Sequence, residues 1–411
     1  MKSSILALAI ASALTATASS ATDLGHGLTL KGFGTVGVVH SDTTDADYVA
    51  NSYFQPVGAG ATDRTSFNVD TKAGLQMDWK ATDRLSFTAQ LISKKRPSDD
   101  WVPQLEWGFA KFQATPEMDV RVGRIRPPIY LLSDYLDVSY ANPWVRPPIE
   151  FYATAPLPRM EGIDLLWRPS TGDVSWLIQP YYGKSKLAYN QGLETKFEDI
   201  MGLNVSASRG DLTVRANYVR SDMIGHAPQF DQYIGMLNAV CAGGDPVACT
   251  QSSALAIDGD GGSFAALGVS WDNGDYFVTS ELGQRKTDNV MSDMDIWYIS
   301  AGARLDKWTP YATYSLGKNK SPKSFTAGSG ATNTIVTGLL QNNQMDQSTI
   351  TLGARYDIVS NVAIKAQWDH VMTNCGPVTG TCGGYFVNAS TAFKGQDQSV
   401  NVISVSVDFV F

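Results

Sequence analysis

At 411 residues the chain is long enough for two or three soluble domains, yet no Pro/Gly/Ser-rich linker divides it. A net charge of -8 at pH 7 gives no reason to invoke a nucleic-acid partner. Beyond the N-terminal leader nothing approaches the about 18 uninterrupted apolar residues that a spanning helix needs, while 37 glycines, 17 tyrosines and 10 tryptophans suit many strands and tight turns.

Residues 1–21 read as a secretory signal peptide. Lys2 supplies the positive start, Ile5 to Leu14 a short apolar stretch, and Ser19-Ser20-Ala21 the small residues for cleavage. Residues 22–411 are expected to form one domain. From Leu28 to Val39 a first strand is predicted, and period-2 alternation then recurs along the chain. Ala73, Leu75, Met77 and Trp79 make one apolar face, residues 81–84 turn, and Leu85, Phe87, Ala89 and Leu91 resume the face. Leu105-Trp107-Phe109 passes Thr115-Pro116-Glu117 to Val120-Val122. Ile163-Leu165-Trp167 passes residues 169–172 to Val174-Trp176-Ile178. Equivalent pairs follow around Arg209-Gly210-Asp211, the strong hairpin dipeptide Asn273-Gly274, Asp306-Lys307 and Ser360-Asn361.

The last strand runs Ile403-Ser404-Val405-Ser406-Val407-Asp408-Phe409-Val410-Phe411, apolar at every odd position. The predicted fold is therefore all-β: a transmembrane antiparallel β-barrel of about 16 strands, with short periplasmic turns and long extracellular loops. Descending strands end on Trp79, Trp167, Trp271, Tyr356 and Phe411, the positions of an interfacial aromatic girdle.

Inward positions are polar or small. They carry Lys72, Arg121, Arg168, Arg215, Arg304, Arg355 and Lys365, and Asp78, Glu106, Asp164, Glu281, Asp357, Asp369 and Asp408. A solvated lumenal face accounts for each singly, whereas rings of charge set which ions enter a pore. The third long connection, about residues 124–161, is rich in aromatics and prolines rather than Gly and Ser. Such a segment is expected to be ordered and folded into the barrel as a constriction. Its Asp134, Asp137, Arg146, Glu150 and Arg159 are candidates for the narrowest point. The cysteines fall into two local pairs, Cys241 with Cys249 and Cys375 with Cys382, each expected to close a loop disulfide. The run Asp258-Gly259-Asp260-Gly261 is expected to be a solvated turn, as it lacks a full calcium-loop pattern.

Through Gly123-Arg124-Ile125-Arg126-Pro127-Pro128, Asn142-Pro143-Trp144-Val145-Arg146-Pro147-Pro148, Leu352-Gly353-Ala354-Arg355-Tyr356-Asp357 and the closing Val407 to Phe411, the chain resembles the sixteen-stranded Gram-negative general porins. The resemblance implies a multi-pass barrel in the outer membrane of a Gram-negative bacterium, in contact with its lipids. It further implies a homotrimer of water-filled channels for passive diffusion of small hydrophilic solutes and ions, with no cofactor and no catalysis. Carried over, Asp134, Asp137 and Glu150 form the loop side of the constriction, and Arg121, Arg124, Arg168, Arg215 and Arg355 the wall. The third connection departs from the family in carrying arginines and double prolines rather than a plain acidic run, which leaves the sign of ion preference open.

Two other readings remain. A substrate-specific channel for an anion or organic acid fits the basic wall and the aromatic connection. An outer-membrane enzyme would need a nucleophile–base pair; of His26, His40, His226 and His370, only His370 beside Asp369 is placed for it, and no GxSxG elbow is present.

Overall fold

The structure, a computed structural model, describes residues 21–155, 157–226, 228–288, 291–320, 330–341, 345–375 and 383–411. The leader expectation falls almost entirely on residues outside this set, as does Cys382.

Sixteen long strands form one closed antiparallel sheet. They are β1 (Leu28–Ser41), β2 (Lys72–Lys80), β3 (Leu85–Lys94), β4 (Gln104–Thr115), β5 (Met118–Ile125), β6 (Met160–Trp167), β7 (Val174–Ala188) and β8 (Glu194–Arg209). The second half comprises β9 (Leu212–His226), β10 (Asp258–Asp272), β11 (Tyr276–Thr287), β12 (Met294–Ala303), β13 (Trp308–Asn319), β14 (Gln347–Val359), β15 (Val362–Thr373) and β16 (Gln398–Val410). Each strand pairs with its sequence neighbours, and β16 pairs back onto β1 from Val402↔Ser41 to Val410↔Phe33. Phe411 and Gly32 exchange both backbone hydrogen bonds, at 2.8 and 2.9 Å. No edge is left, the condition for placing strands in hydrocarbon.

Alternation sorts the two faces. Leu75, Met77, Trp79, Val122, Ile163, Trp167, Leu203, Leu267, Ile299, Leu352, Ile403 and Val405 are all exposed, an apolar belt that water would not tolerate at this extent. Thr35, Gln90, Asn204, Arg215, Glu281, Gln367 and Ser404 on the opposite face are buried. Rings gather where the turns are short: Trp308 and Tyr356 lie 4.7 Å apart, Trp79 and Phe87 5.4 Å. At Asn273-Gly274 the Asn side chain accepts from the amides of Asp275 and Tyr276, and Gly274 takes a φ of +93° that suits glycine.

One register differs from the alternation predicted. A bulge shifts the β3–β4 pairing between Gln90↔Trp107 and Leu91↔Leu105. Beyond it the pairs Phe112↔Val120 and Ala110↔Val122 face outward, so Trp107 and Phe109 point into the barrel instead of sharing Leu105's face. The shift also decides Arg124, paired with Gly108 on the outer face.

The two ends differ as expected, with a qualification. Several connections at the long-loop end are long (42–71, 126–159, 227–257, 320–346, 374–397), but 189–193 and 288–293 are brief. Asp258-Gly259-Asp260-Gly261 is strand rather than turn: Asp260 pairs with Met223 and Gly261 with Asp222. Helices α2 (Pro228–Ala242), α3 (Pro246–Leu255) and α4 (Ala331–Gln341) stand above this rim, joined by Leu237, Ala248, Leu255 and Val336. Cys241 and Cys249 form the expected disulfide, and Asp245 between them caps α3. Cys375 is disulfide-bonded too.

Glycines opposite aromatics mark the seam: a Cβ on Gly34 would sit 2.4 Å from the Phe409 ring, and one on Gly32 2.1 Å from that of Phe411. Gly34→Val should therefore overpack β16 against β1 and cost about 1–3 kcal/mol, read as a lower midpoint in heat-dependent gel mobility. Phe409→Ala in the same chain should restore most of the loss.

Candidate functional site

The third connection, residues 126–159, begins and ends in prolines that cannot donate to a ladder and so leave the sheet. Two 3₁₀ turns (Ser133–Tyr135, Ser139–Ala141) and one helical turn, α1 (Ile149–Tyr152), give it local order. Tyr130 staples its two arms: its hydroxyl donates to the Ala155 carbonyl at 2.8 Å and accepts from the Ala155 amide at 2.9 Å. Tyr130, Phe151 and Tyr152 pack against Phe264 and Tyr298 of the wall, with ring centroids 5.0–6.2 Å apart.

The segment is bound to the inward faces of β9 and β11–β16. Arg215 donates to the carbonyls of Pro128 (2.9 Å) and Leu131 (3.2 Å). Glu281 accepts from the Leu131 amide (2.9 Å), Tyr298 (2.9 Å) and Tyr152. Lys365 donates to the carbonyls of Ser139 (2.6 Å) and Trp144 (2.9 Å) while pairing with Asp408 at 2.8 Å. Arg355 donates to the Tyr140 carbonyl, stacks 4.4 Å over its ring and pairs with Asp357. The Trp144 indole donates to Ser300 at 2.9 Å.

Arg146 reaches furthest. Its guanidinium forks onto Asp70 at 2.6 and 2.9 Å and donates to Asp369 at 2.8 Å, all three nearly fully buried. Burial opposes its charge, yet Asp70, Tyr48 and Asp369 together raise its pKa well above the ordinary value. Glu150 meets no cation among the described residues: Ser315 (2.6 Å), Gln347 (2.7 Å) and Thr349 (2.5 Å) donate to it, and burial pushes its carboxyl up despite them. Burial would raise the Asp137 carboxyl as well, but Lys94 (2.7 Å) and Arg126 hold it well below the usual range. Arg159 and Arg96 share Glu106.

Of the other candidates, Arg121 points inward, pairs with Asp164 at 2.5 Å and lies over Phe109. Asp134 is exposed and ion-pairs with nothing among the described residues. Two arginines fall outside the group. Arg124 is on the outer face, bound to Glu161 at 2.5 Å, and Arg168 is at the short-turn end with Asp119 at 2.8 Å. Arg215 and Arg355, expected as a wall facing acidic loop residues, instead hold loop carbonyls.

Because the segment leans on β9–β16, space remains on the other side, against β2–β4. A cavity of about 270 Å³ lies there. Its cationic lining is Lys72, Lys94, Lys95, Arg96, Arg126, Arg146 and Arg159; its anionic lining is Asp70, Glu106 and Asp137. Phe54, Ile129, Tyr130, Leu136, Tyr152 and Leu157 supply apolar surface. Sequence reasoning missed Lys94, Lys95, Arg96 and Arg126. The contiguous Lys94-Lys95-Arg96 run was the available signal; for Arg126 there was only its place in the quoted Gly123–Pro128 stretch. Among the described residues no group of three or more His, Cys, Asp or Glu side chains is disposed to hold a metal ion. His370 stands on the outer face of β15 beside Trp368, hydrogen-bonded to Asn401 and Ser399.

No protein-family model matches the chain, and no curated protein matches it in sequence. Solved structures do match in fold. The OmpF of Salmonella typhi, solved with daunomycin, superposes with a TM-score of 0.55 at 14% identity over 95% of this chain and 100% of that one. The anion-selective porin of Comamonas acidovorans gives 0.54 at 14% identity, covering 93% and 99%. The outer-membrane channel DcaP of Acinetobacter baumannii gives 0.56 at 8% identity, covering 96% and 100%. The fold is that of a sixteen-stranded Gram-negative outer-membrane porin.

Arg146→Met should leave Asp70 and Asp369 buried and unpaired, at a cost of about 3–5 kcal/mol. The expected readouts are a lower thermal midpoint and protease cleavage within residues 126–159. Adding Asp70→Asn and Asp369→Asn should recover most of both.

Proposed function

We propose that the chain is an outer-membrane channel for passive diffusion of small hydrophilic solutes, with the third connection as its constriction and anions as its preferred ions. The carrying observation is the cavity lining of seven cationic against three anionic side chains. Each of the three carboxylates is already paired with two cations or with the Arg146 fork, so the residual field where the passage is confined is positive. A confined, low-dielectric passage strengthens such a field relative to open water. Solutes cross by steric selection and by this field; no energy source and no catalysis enter the reading. The membrane is the outer membrane, with lipids against the apolar belt, and the oligomer is the homotrimer that the porin resemblance implies. Residues 1–21 would be removed as a signal peptide on export.

The test is single-channel recording in a planar bilayer across a KCl gradient. Ohmic steps with a reversal potential of anion-selective sign are expected, and Lys72→Glu with Lys94→Glu should move that potential toward cation selectivity. Absence of conductance, or cation selectivity of the unaltered protein, would overturn the reading. Loss of all conductance in His370→Ala would reopen the enzyme alternative; unchanged conductance is expected.

A further inference from the structure

The cavity lining combines two chemistries, and together they do not match what a plain ion passage requires. On the basic side the cations are not equivalent. Lys94 and Arg126 are committed to Asp137, Arg146 to Asp70 and Asp369, and Arg159 to Glu106. Lys72, at the start of β2 and pointing inward, makes no hydrogen bond and no ion pair among the described residues. Arg96 lines the same cavity, and its Nε is buried without a partner among the described residues. Buried or half-buried donors without acceptors are costly, and natural structures seldom leave them so. The same cavity is also lined by the apolar side chains of Phe54, Ile129, Leu136 and Leu157. Inorganic ions gain nothing from such a surface. The enclosed volume of about 270 Å³ falls just under the range of about 300–1,000 Å³ that small-molecule pockets occupy.

We propose that this cavity is a binding site for an amphipathic monocarboxylate, a small acid whose anionic head pairs with Lys72 and whose aromatic or branched apolar body lies on the Phe54–Ile129–Leu136–Leu157 side. The proposal rests on the channel reading and deepens it, turning a diffusive passage into a saturable one for this class of solute. A single free ammonium matches a single negative charge, whereas a second carboxylate on the ligand would be buried against apolar carbon. A cation of the same shape would meet Lys72, which pairs directly with no carboxylate among the described residues.

Benzoate is the probe, with acetate (same head, no body) and cyclohexylammonium (same bulk, opposite charge) as controls. Two measurements on the refolded full-length mature protein are paired: titration calorimetry in detergent, and block of chloride current in single channels. A saturable benzoate isotherm is expected, with half-saturation at least about tenfold below that of acetate, no binding of cyclohexylammonium, and current block at matching concentrations. Lys72→Gln should weaken benzoate and acetate alike, whereas Phe54→Ala should weaken benzoate alone; the second substitution, in a loop, keeps the test intact if the first fails to refold. Channels that conduct without benzoate binding or block overturn the site and leave the channel reading standing. Benzoate binding without any conductance overturns the channel reading and leaves the site. Equal half-saturation for benzoate and acetate overturns the assignment of the apolar side.

Discussion

A sixteen-stranded barrel cannot be filled by its own wall side chains, and that constraint organises the molecule. Eight strands leave an interior that side chains just fill; twice that number leaves an aqueous channel. The closed ladder from β1 to β16 leaves no sheet edge toward the hydrocarbon, but it does nothing for the interior. What occupies the space is the 126–159 segment, and it stays because the wall offers partners for its backbone and side chains at many points. Arg215, Lys365 and Arg355 take up loop carbonyls, while Ser315, Gln347 and Thr349 surround Glu150. Arg146, gripped between Asp70 and Asp369, ties the loop to the first connection and to β15 at once.

The anchoring is lopsided, and the asymmetry produces the site. Loop contacts are concentrated on β9 and β11–β16, where they take up the wall's acids Glu281, through Tyr152 and the Leu131 amide, and Asp369, through Arg146, while Asp408 is paired within the wall by Lys365. The opposite wall, β2 to β4, keeps its cations near open space. The Tyr130 staple stiffens the loop, whose Ile129, Tyr130, Leu136, Tyr152 and Leu157 line the same cavity as those cations. Stiffness matters because a floppy segment would average the gap away and no two-sided chemistry would persist.

Much of the barrel was legible because lipid on one side and water on the other force a period of two. Strand existence, the hairpin turns and the closing strand all followed from that. The reading failed where a local event broke the period. The bulge beside Glu106 sends Trp107 and Phe109 inward, which no count of alternate residues reveals. The helices above the rim, Pro228–Ala242 and Pro246–Leu255, were read only as a disulfide-closed loop, since their apolar residues are spread around the helix rather than gathered on one face. Loop charges such as Asp137, Glu150 and Arg146 stood out by composition, but their partners are set by contacts between residues up to more than 200 positions apart. Asp70, in a connection without any motif, gave no signal at all.

The sign of the cavity illustrates why summed charge misleads. The whole chain carries -8, and inward strand positions hold about as many acids as bases. Burial separates the two. An acid in a low-dielectric interior persists as an ion only with cations or several donors around it, so Asp369, Asp408, Asp164 and Asp137 each appear inside an ion pair. Cations with long stems can meet that need and still leave a neighbour over, as Lys94 and Arg126 do around Asp137 with Lys72 beside them. Along the cavity lining the field is then set by the uncommitted minority, and among those side chains the minority is positive.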